Sequence, residues 1–343
     1  MLLSIVIPVH NKEKYILRLF KSLTRQNIDN NEVEILVIDD DSTDNSIKEI
    51  HEFDDKLNIR YFSCEYHNPG LARNIGIENA KGRWITFVDA DDYFEDLGLQ
   101  MVKKFLTLYV DKPIYIIATP FKILDKGNRP VKMHKQQEEQ YLHGKFFKNE
   151  DFLKTYDLKF PSFLRTHEDL YFNTVANNIV YFTNTFFYLK TGFYVYCMNE
   201  DSMTSKTDNV EGHYYIELNL HEFLLAQHEG LKRAAEIFPE HKETFKKFCF
   251  TNIGYSYHYF QAFLYLYGLE TLINAKAYRD VLTNILLFYD TNIEELSNML
   301  MDEVKLYYEA KEFISSKVCM YIENYSIPFF FDWLYSLEFP ENL

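Results

Sequence analysis

Near its start the chain alternates short apolar runs with amphipathic segments, and this alternation limits the fold more than any other feature. Leu3 to Val9 reads as a strand and Glu13 to Arg25 as a helix. Glu34 to Ile38 is a second strand, and Asn45 to Phe53 a helix capped by Ser42, Thr43 or Asp44. Asn58 to Phe62 reads as a third strand, Leu71 to Asn79 as a helix after the Pro69-Gly70 turn, and Trp84 to Val88 as a fourth strand. Strands separated by helices at this spacing pair in parallel, with both sheet faces covered. Ligands in such sheets bind beyond the carboxyl ends of the strands.

The chemistry-bearing residues sit at those ends. His10-Asn11 follows the first strand, Asp39-Asp40-Asp41 the second, and Asp89-Ala90-Asp91-Asp92 the fourth. Strand side chains repeat every two residues, so Asp89 and Asp91 can point the same way, which suits a hard divalent cation carrying a diphosphate. Two close carboxylates repel, so a cation, a basic side chain or water must accompany them. Taken alone, an Asp-x-Asp after a strand is more often a solvated turn.

A chain of 343 residues with 47% hydrophobic content can build one large or two ordinary domains. Its 27 Tyr and 30 Phe against 11 Gly and 9 Pro point to compact structure without long linkers. The net charge of -15 argues against a nucleic-acid partner, so an anionic substrate has to be held locally. Cys64, Cys197, Cys249 and Cys319 form no Cys-x-x-Cys pair, which predicts neither zinc nor a disulfide framework and fits a reducing cytosol. Leu2 to Val9 lacks the basic flank of a signal peptide, and no run approaches the ~20 apolar residues of a membrane span.

Further along, Tyr115 to Ala118 reads as a strand and Lys122 to Lys145 as a polar loop over the site. Asn149 to Tyr156 and His167 to Asn177 read as helices, Phe186 to Leu189 and Phe193 to Cys197 as strands. Tyr214 to His228, Leu231 to Ile237 and Ile273 to Tyr289 are helical stretches rich in Leu, Tyr and Phe. We therefore expect an α/β domain over 1–209 and a helical C-terminal domain over 210–343. The aromatic patch from Phe329 to Leu337 fits core packing, or a surface that touches a bilayer or a second copy.

Taken together the blocks Ile5-Val6-Ile7-Pro8-Val9-His10-Asn11, Val37-Ile38-Asp39-Asp40-Asp41-Ser42-Thr43-Asp44-Asn45-Ser46, Asn68-Pro69-Gly70-Leu71-Ala72-Arg73-Asn74, Asp89-Ala90-Asp91-Asp92 and Glu168-Asp169 resemble family 2 of the glycosyltransferases. The resemblance implies a GT-A fold, a nucleotide-sugar-binding domain with a mostly parallel central sheet, and inverting transfer from a UDP-sugar to an acceptor hydroxyl. It implies that Asp40 accepts the uracil imide N–H, against its plainer use as a helix cap, for which Asp44 is better placed. His10 would stack on the base or be an ordinary loop histidine, and Pro8 would end the first strand beside the base. Asn68 and Arg73 would lie near the nucleotide and phosphates, unless Arg73 is a surface charge on its helix. Asp91 would bind Mn2+ or Mg2+ directly, with Asp89 toward the ribose or the metal's water shell. Asp92 would cap the next helix or touch the metal. No later His stands at an obvious place for a further ligand. Asp169, more than Glu168, matches the base that takes the acceptor proton, although a carboxylate at a helix N-terminus is common. Asp41 stands where the family usually has Gly, which puts the local backbone in question.

Two rivals share parts of this pattern. A phospho-accepting receiver domain would carry its acid pair on the first strand, and a sugar nucleotidyltransferase would have a glycine-rich loop where this chain has His10-Asn11-Lys12-Glu13. The expectation is a cytosolic hexosyl- or N-acetylhexosaminyltransferase, at most peripheral at the inner face of the cell membrane. It would extend a surface glycan on a lipid-linked or glycoprotein acceptor.

Overall fold

The computed structural model describes residues 1–134, 141–199, 210–266 and 275–299. The chain divides into two compact units, Met1–Ser205 and Lys206–Leu343. In chain order the strands of the first are β1 (Leu3–Val9), β2 (Val33–Asp40), β3 (Ile59–Cys64), β4 (Trp84–Phe87), β5 (Tyr93–Phe94), β6 (Ile116–Ala118), β7 (Phe121–Leu124), β8 (Pro130–His134), β9 (Lys145–Lys148), β10 (Phe186–Tyr188) and β11 (Tyr194–Cys197). Its helices are α1 (Glu13–Thr24), α2 (Ser46–His51), α3 (Pro69–Asn79), α4 (Gly98–Tyr109) and α5 (Glu168–Thr183). A seven-stranded sheet runs β10-β6-β9-β4-β1-β2-β3, and a four-stranded one β5-β11-β7-β8. In the large sheet β9 alone runs antiparallel to its neighbours.

The apolar runs become strands because both of their faces are covered. Ile5, Val6, Ile7, Leu36, Val37 and Ile38 are fully buried, as expected of parallel strands between helical layers. On α1 the buried residues Ile16, Leu19, Phe20 and Leu23 recur at helical spacing and join the same core. Helix α3 lies close to β1: a Cβ placed on Gly76 would stand 2.2 Å from Cγ1 of Val6. Only a residue without a side chain permits that approach.

Pro8 does not end β1. The strand runs to Val9, with Pro8 in register with Ile38 of β2. The Val6 carbonyl accepts the last bond from the β4 side, from the Val88 N–H. Backbone groups alternate sides along a strand, so Pro8 faces that same side, where β4 has ended and a missing N–H breaks no ladder.

The polar span from Lys122 to Lys145 contains an antiparallel hairpin, β7 with β8, instead of a plain loop. Asp125 Oδ1 closes its turn by accepting the N–H groups of Gly127 and Arg129, each at 2.9 Å. The helix expected over Asn149 to Tyr156 is present as a π-helix over Asn149–Lys154.

The second unit contains α6 (Val210–Ile237), α7 (Lys242–Leu266) and α8 (Ala275–Phe288), with α6 packed on both of the others. The expected break near Glu229 is absent, because Gly230 is buried within one continuous helix. Burial of a helix face outweighs the modest propensity cost of a single Gly. Tyr278, Val281, Leu282, Ile285, Leu286 and Tyr289 form the buried stripe centred on α8. The patch from Phe329 to Leu337 lies outside the described residues. Among the described residues no helix is long and apolar enough to cross a membrane.

Candidate functional site

The loops after β1 and β2 are tied together by side chains from the two sequence blocks. Asn11 Oδ1 accepts the Thr43 N–H at 2.8 Å, and the Asn11 N–H donates to Ser42 Oγ at 3.2 Å. The Asp44 carboxylate accepts the first N–H of α1, from Glu13 at 3.0 Å, and that of α2, from Ser46 at 2.9 Å. One acid thereby caps two helices. Asp41 has φ 60, the left-handed conformation that a Gly would adopt more easily; Asp is among the residues that tolerate it.

Asp40 is buried at the tip of β2. Its Oδ1 accepts the Tyr66 N–H at 2.6 Å and the His67 N–H at 3.0 Å, and Oδ2 accepts the Asn68 N–H at 2.8 Å. The carboxylate thus shapes the turn into α3. His10 is exposed beside it, its Nδ1 donating to the Asp40 carbonyl at 2.5 Å. The His10 and His67 rings meet edge to face at 5.3 Å. Two imidazoles therefore stand at this strand end, one of them on His67, a residue the sequence reading did not single out.

Asn68 begins α3. Its Oδ1 accepts the Leu71 N–H at 3.0 Å and its Nδ2 donates to the Leu164 carbonyl at 2.9 Å, so the side chain joins the helix start to the segment before α5. Pro69 follows at the first helical position, where its absent N–H would have had no partner. A Cβ on Gly70 would stand 2.6 Å from Cγ of Glu168, so this glycine makes room for the acid of α5. These residues were read as a turn; the structure shows a helix start shaped to receive Glu168.

One turn further, Arg73 is buried and donates in two directions, Nη2 to Asp89 Oδ1 at 2.7 Å and Nη1 to Glu168 Oε1 at 3.0 Å. Its guanidinium also lies 5.4 Å from the centre of the Phe160 ring. Arg73 is therefore no surface charge. Burial alone would raise the Asp89 carboxyl, but Arg73 and His143 hold it well below the usual carboxylate range. Glu168 goes the other way: burial and the adjacent Asp169 push its carboxyl up to about 7 despite Arg73. Asp169 is half-buried in the first turn of α5, and its charge acts on Arg73, Glu168 and His143.

After β4 the acids part company. Asp91 Oδ2 accepts from Lys12 Nζ at 2.7 Å and from Asn199 Nδ2 at 2.8 Å, while its carbonyl accepts from Arg18 Nη2 at 2.6 Å. Asp92 is fully buried. It accepts from the Tyr194 hydroxyl at 2.5 Å and the Cys197 N–H at 2.8 Å, so it fastens β11 to the β4 end and does not cap α4, which begins six residues later at Gly98. Burial pushes its carboxyl well above the ordinary range, and the charges of Asp91 and Asp89 add to that. His143 Nε2 lies 3.4 Å from Asp89 Oδ2 and 3.6 Å from Asp92 Oδ2. Ligand atoms of Asp89, Asp92 and His143 all fall within 4.8 Å of one another, close enough to share a metal ion. Two carboxylates and an imidazole suit Mn2+, whereas Mg2+ prefers oxygen alone.

The sequence reading placed no later histidine here; His143 is the one the structure brings beside Asp89 and Asp92. It lies in the polar span ahead of β9, outside every motif, so no local pattern in the sequence marks it. Lys12, Arg18, Tyr194 and Asn199 were missed likewise, because each reaches the β4 end from a distant part of the chain.

Residues 4–170, from β1 into the first turn of α5, match the family described as Glycosyl transferase family 2. That segment is therefore similar to the domain of glycosyltransferase family 2. Among curated proteins it is 29% identical over 185 residues to the poly(ribitol-phosphate) beta-N-acetylglucosaminyltransferase TarS of Staphylococcus aureus, covering 50% of this chain and 32% of that one. It is 38% identical over 107 residues to an uncharacterized glycosyltransferase of Haemophilus influenzae, covering 31% of this chain and 42% of the other. The matched segment thus spans less than half of either relative. Among solved structures, S. aureus TarS 1-349 in complex with UDP-GlcNAc aligns with TM-score 0.52 at 20% identity, over 90% of this chain and 92% of that one. The same TarS fragment in complex with UDP aligns at 0.50 and 20% identity, over the same shares. The fold is therefore GT-A, as the strand order and the motif blocks imply.

Proposed function

We propose that this protein is an inverting glycosyltransferase that moves a sugar from a UDP-sugar to an acceptor hydroxyl during assembly of a cell-surface glycan. The observation that carries this is the Arg73 clamp, which joins Asp89 at the β4 end to Glu168 beside Asp169, while Asn68 links the same helix to Asp40. Donor-side and acceptor-side acids of one family motif set thus share a single hydrogen-bonded framework at the carboxyl ends of β1, β2 and β4, where such sheets bind ligands. The UDP and UDP-GlcNAc bound to the structurally similar TarS favour a uracil nucleotide and an N-acetylhexosamine donor.

In this reading uracil lies between the His10 ring and Asp40, whose Oδ2 carries a single protein hydrogen bond and can accept the imide N–H. Asp89 would hold Mn2+ or Mg2+ with His143 and Asp92 as neighbouring donors, and Asp91, which the family pattern makes a direct ligand, would join them once its bonds to Lys12 and Asn199 are released. A bound ion would supply charge neutralisation to the departing diphosphate. Arg73 keeps Asp89 ionised and aimed. Asp169 takes the proton of the acceptor hydroxyl as its oxygen attacks the anomeric carbon opposite the leaving UDP, which inverts that centre. The acceptor would be lipid-linked or protein-linked glycan. The nucleotidyltransferase reading has less support, since His10-Asn11-Lys12 lacks the glycines of a phosphate-binding loop and is tied to the loop after β2 and the start of α2.

Thermal-shift screening of UDP-, GDP- and ADP-sugars with and without Mn2+ tests this. Selective stabilisation by a UDP-sugar in Mn2+ is expected, about 2.7 kcal/mol at a ligand concentration of about 100 times Kd. A chain indifferent to every uracil nucleotide would refute it.

A further inference from the structure

Asp91, proposed above as a ligand for a divalent cation, already carries an ammonium. Lys12 Nζ and Asn199 Nδ2 share its Oδ2, at 2.7 and 2.8 Å. A metal ligating that oxygen would have to displace the ammonium. Lys12 is built to be displaced without disturbing the backbone around it. Its N–H donates to Ser46 Oγ at 2.7 Å, and its carbonyl accepts from Tyr15 and Ile16 in the first turn of α1. The Lys12 side chain is a quarter exposed, its ammonium 5.9 Å from the centre of the Tyr15 ring. On the other side, Arg18 keeps hold of the Asp91 carbonyl, so the acid can change partners while its own backbone stays in place.

The position of Lys12 supplies the second half of the argument. It follows His10 and Asn11 directly, and His10 binds the Asp40 carbonyl, so the Lys12 backbone stands at the base end of the proposed donor cleft while its head reaches the metal end. Between base and metal a nucleoside diphosphate carries its phosphates. A lysine ammonium is a compact point charge on a four-carbon stem, with three donors and no fixed plane, and suits either a carboxylate or a phosphate oxygen.

Resting on the function proposed above, we propose that Lys12 is a diphosphate-binding residue that exchanges partners: it neutralises Asp91 in the free protein and passes to the donor's phosphates when a divalent cation takes Asp91. The exchange is a movement of charge with no covalent step. It makes cation and nucleotide mutually supportive, because the ammonium released by the first becomes a ligand for the second.

Calorimetric titration of the full chain with Mn2+ alone, and with UDP in the presence of Mn2+, distinguishes this from a purely structural ion pair. Lys12→Met should bind Mn2+ alone about fivefold tighter, the worth of a partly exposed ion pair, and should bind UDP with Mn2+ about tenfold more weakly through the loss of one charged phosphate contact. Lys12→Arg, which keeps the charge, should stay within about threefold of wild type in both titrations. Opposite signs for the two ligands in Lys12→Met are the signature. If that variant leaves both affinities unchanged or weakens both, the exchange is refuted; should it unfold, Lys12→Gln carries the same expectation. Wild-type protein that binds Mn2+ but no UDP would instead overturn the donor reading on which the exchange rests.

Discussion

Asp169→Asn is expected to lower kcat by about 10² to 10⁴, the usual worth of a positioned general base, with the affinity for UDP and Mn2+ within about threefold of wild type. The amide keeps the shape of the side chain, and its oxygen can still accept the Leu170 N–H that binds Oδ1 at 2.8 Å. It cannot take a proton. Of the two adjacent acids Asp169 is the half-buried one, which favours it as the proposed base, whereas Glu168 is buried and bound to Arg73. Single-turnover transfer, measured beside UDP binding, checks both halves of the expectation. Wild-type turnover in the variant would remove Asp169 from the mechanism.

Arg73→Met should destabilise the protein by about 3–5 kcal/mol, because it strands two carboxylates around one buried site. Asp89 and Glu168 each lose a charged partner within 3.0 Å, and Phe160 loses the guanidinium on its ring. A surface arginine would change stability by about 0.5 kcal/mol or less. The deficit should depend on pH in a definite direction. Glu168 has a folded-state pKa of about 7, above its unfolded value, so its contribution is complete below about pH 4.5 and lost as pH rises through 7. Without Arg73 the ionised form loses its counter-charge, so the gap between variant and wild type should be widest above pH 7 and narrow toward pH 5. Urea unfolding across that range reads it directly. A constant deficit, or one that grows on acidification, would contradict the clamp.

The parallel part of the sheet was legible because its strands are buried on both faces and read as unbroken apolar runs; β1 is found at the residues expected, Leu3–Val9. The blocks at the strand ends were legible because neighbours in sequence act together there: Asp44 caps helices close by, and Asp40 holds a turn that the next strand delivers. What could not be read was whatever depends on distant chain. His143 meets Asp89 across 54 residues and Lys12 meets Asp91 across 79, and no local pattern announces either. The alternative that made Asp92 a helix cap failed for a related reason. The partners of Asp92, Tyr194 and Cys197, lie on β11, whose place beside β5 is a matter of topology and not of spacing. The β7–β8 hairpin was passed over because its strands are only four and five residues long, although the turn signal Asp125-Lys126-Gly127-Asn128 lies between them.

The central claim is that the base-side acid Asp40, the cation-side pair Asp89 and Asp91, and the acceptor-side Asp169 serve one donor molecule. Crystals grown with UDP and Mn2+, with data collected at the manganese absorption edge, test it most directly. The account predicts uracil beside His10 and Asp40 and an anomalous peak at the carboxylates of Asp89 and Asp91, with Asp169 facing the open side of the diphosphate. A nucleotide lodged away from Asp40, or manganese bound apart from Asp89 and Asp91, would contradict it.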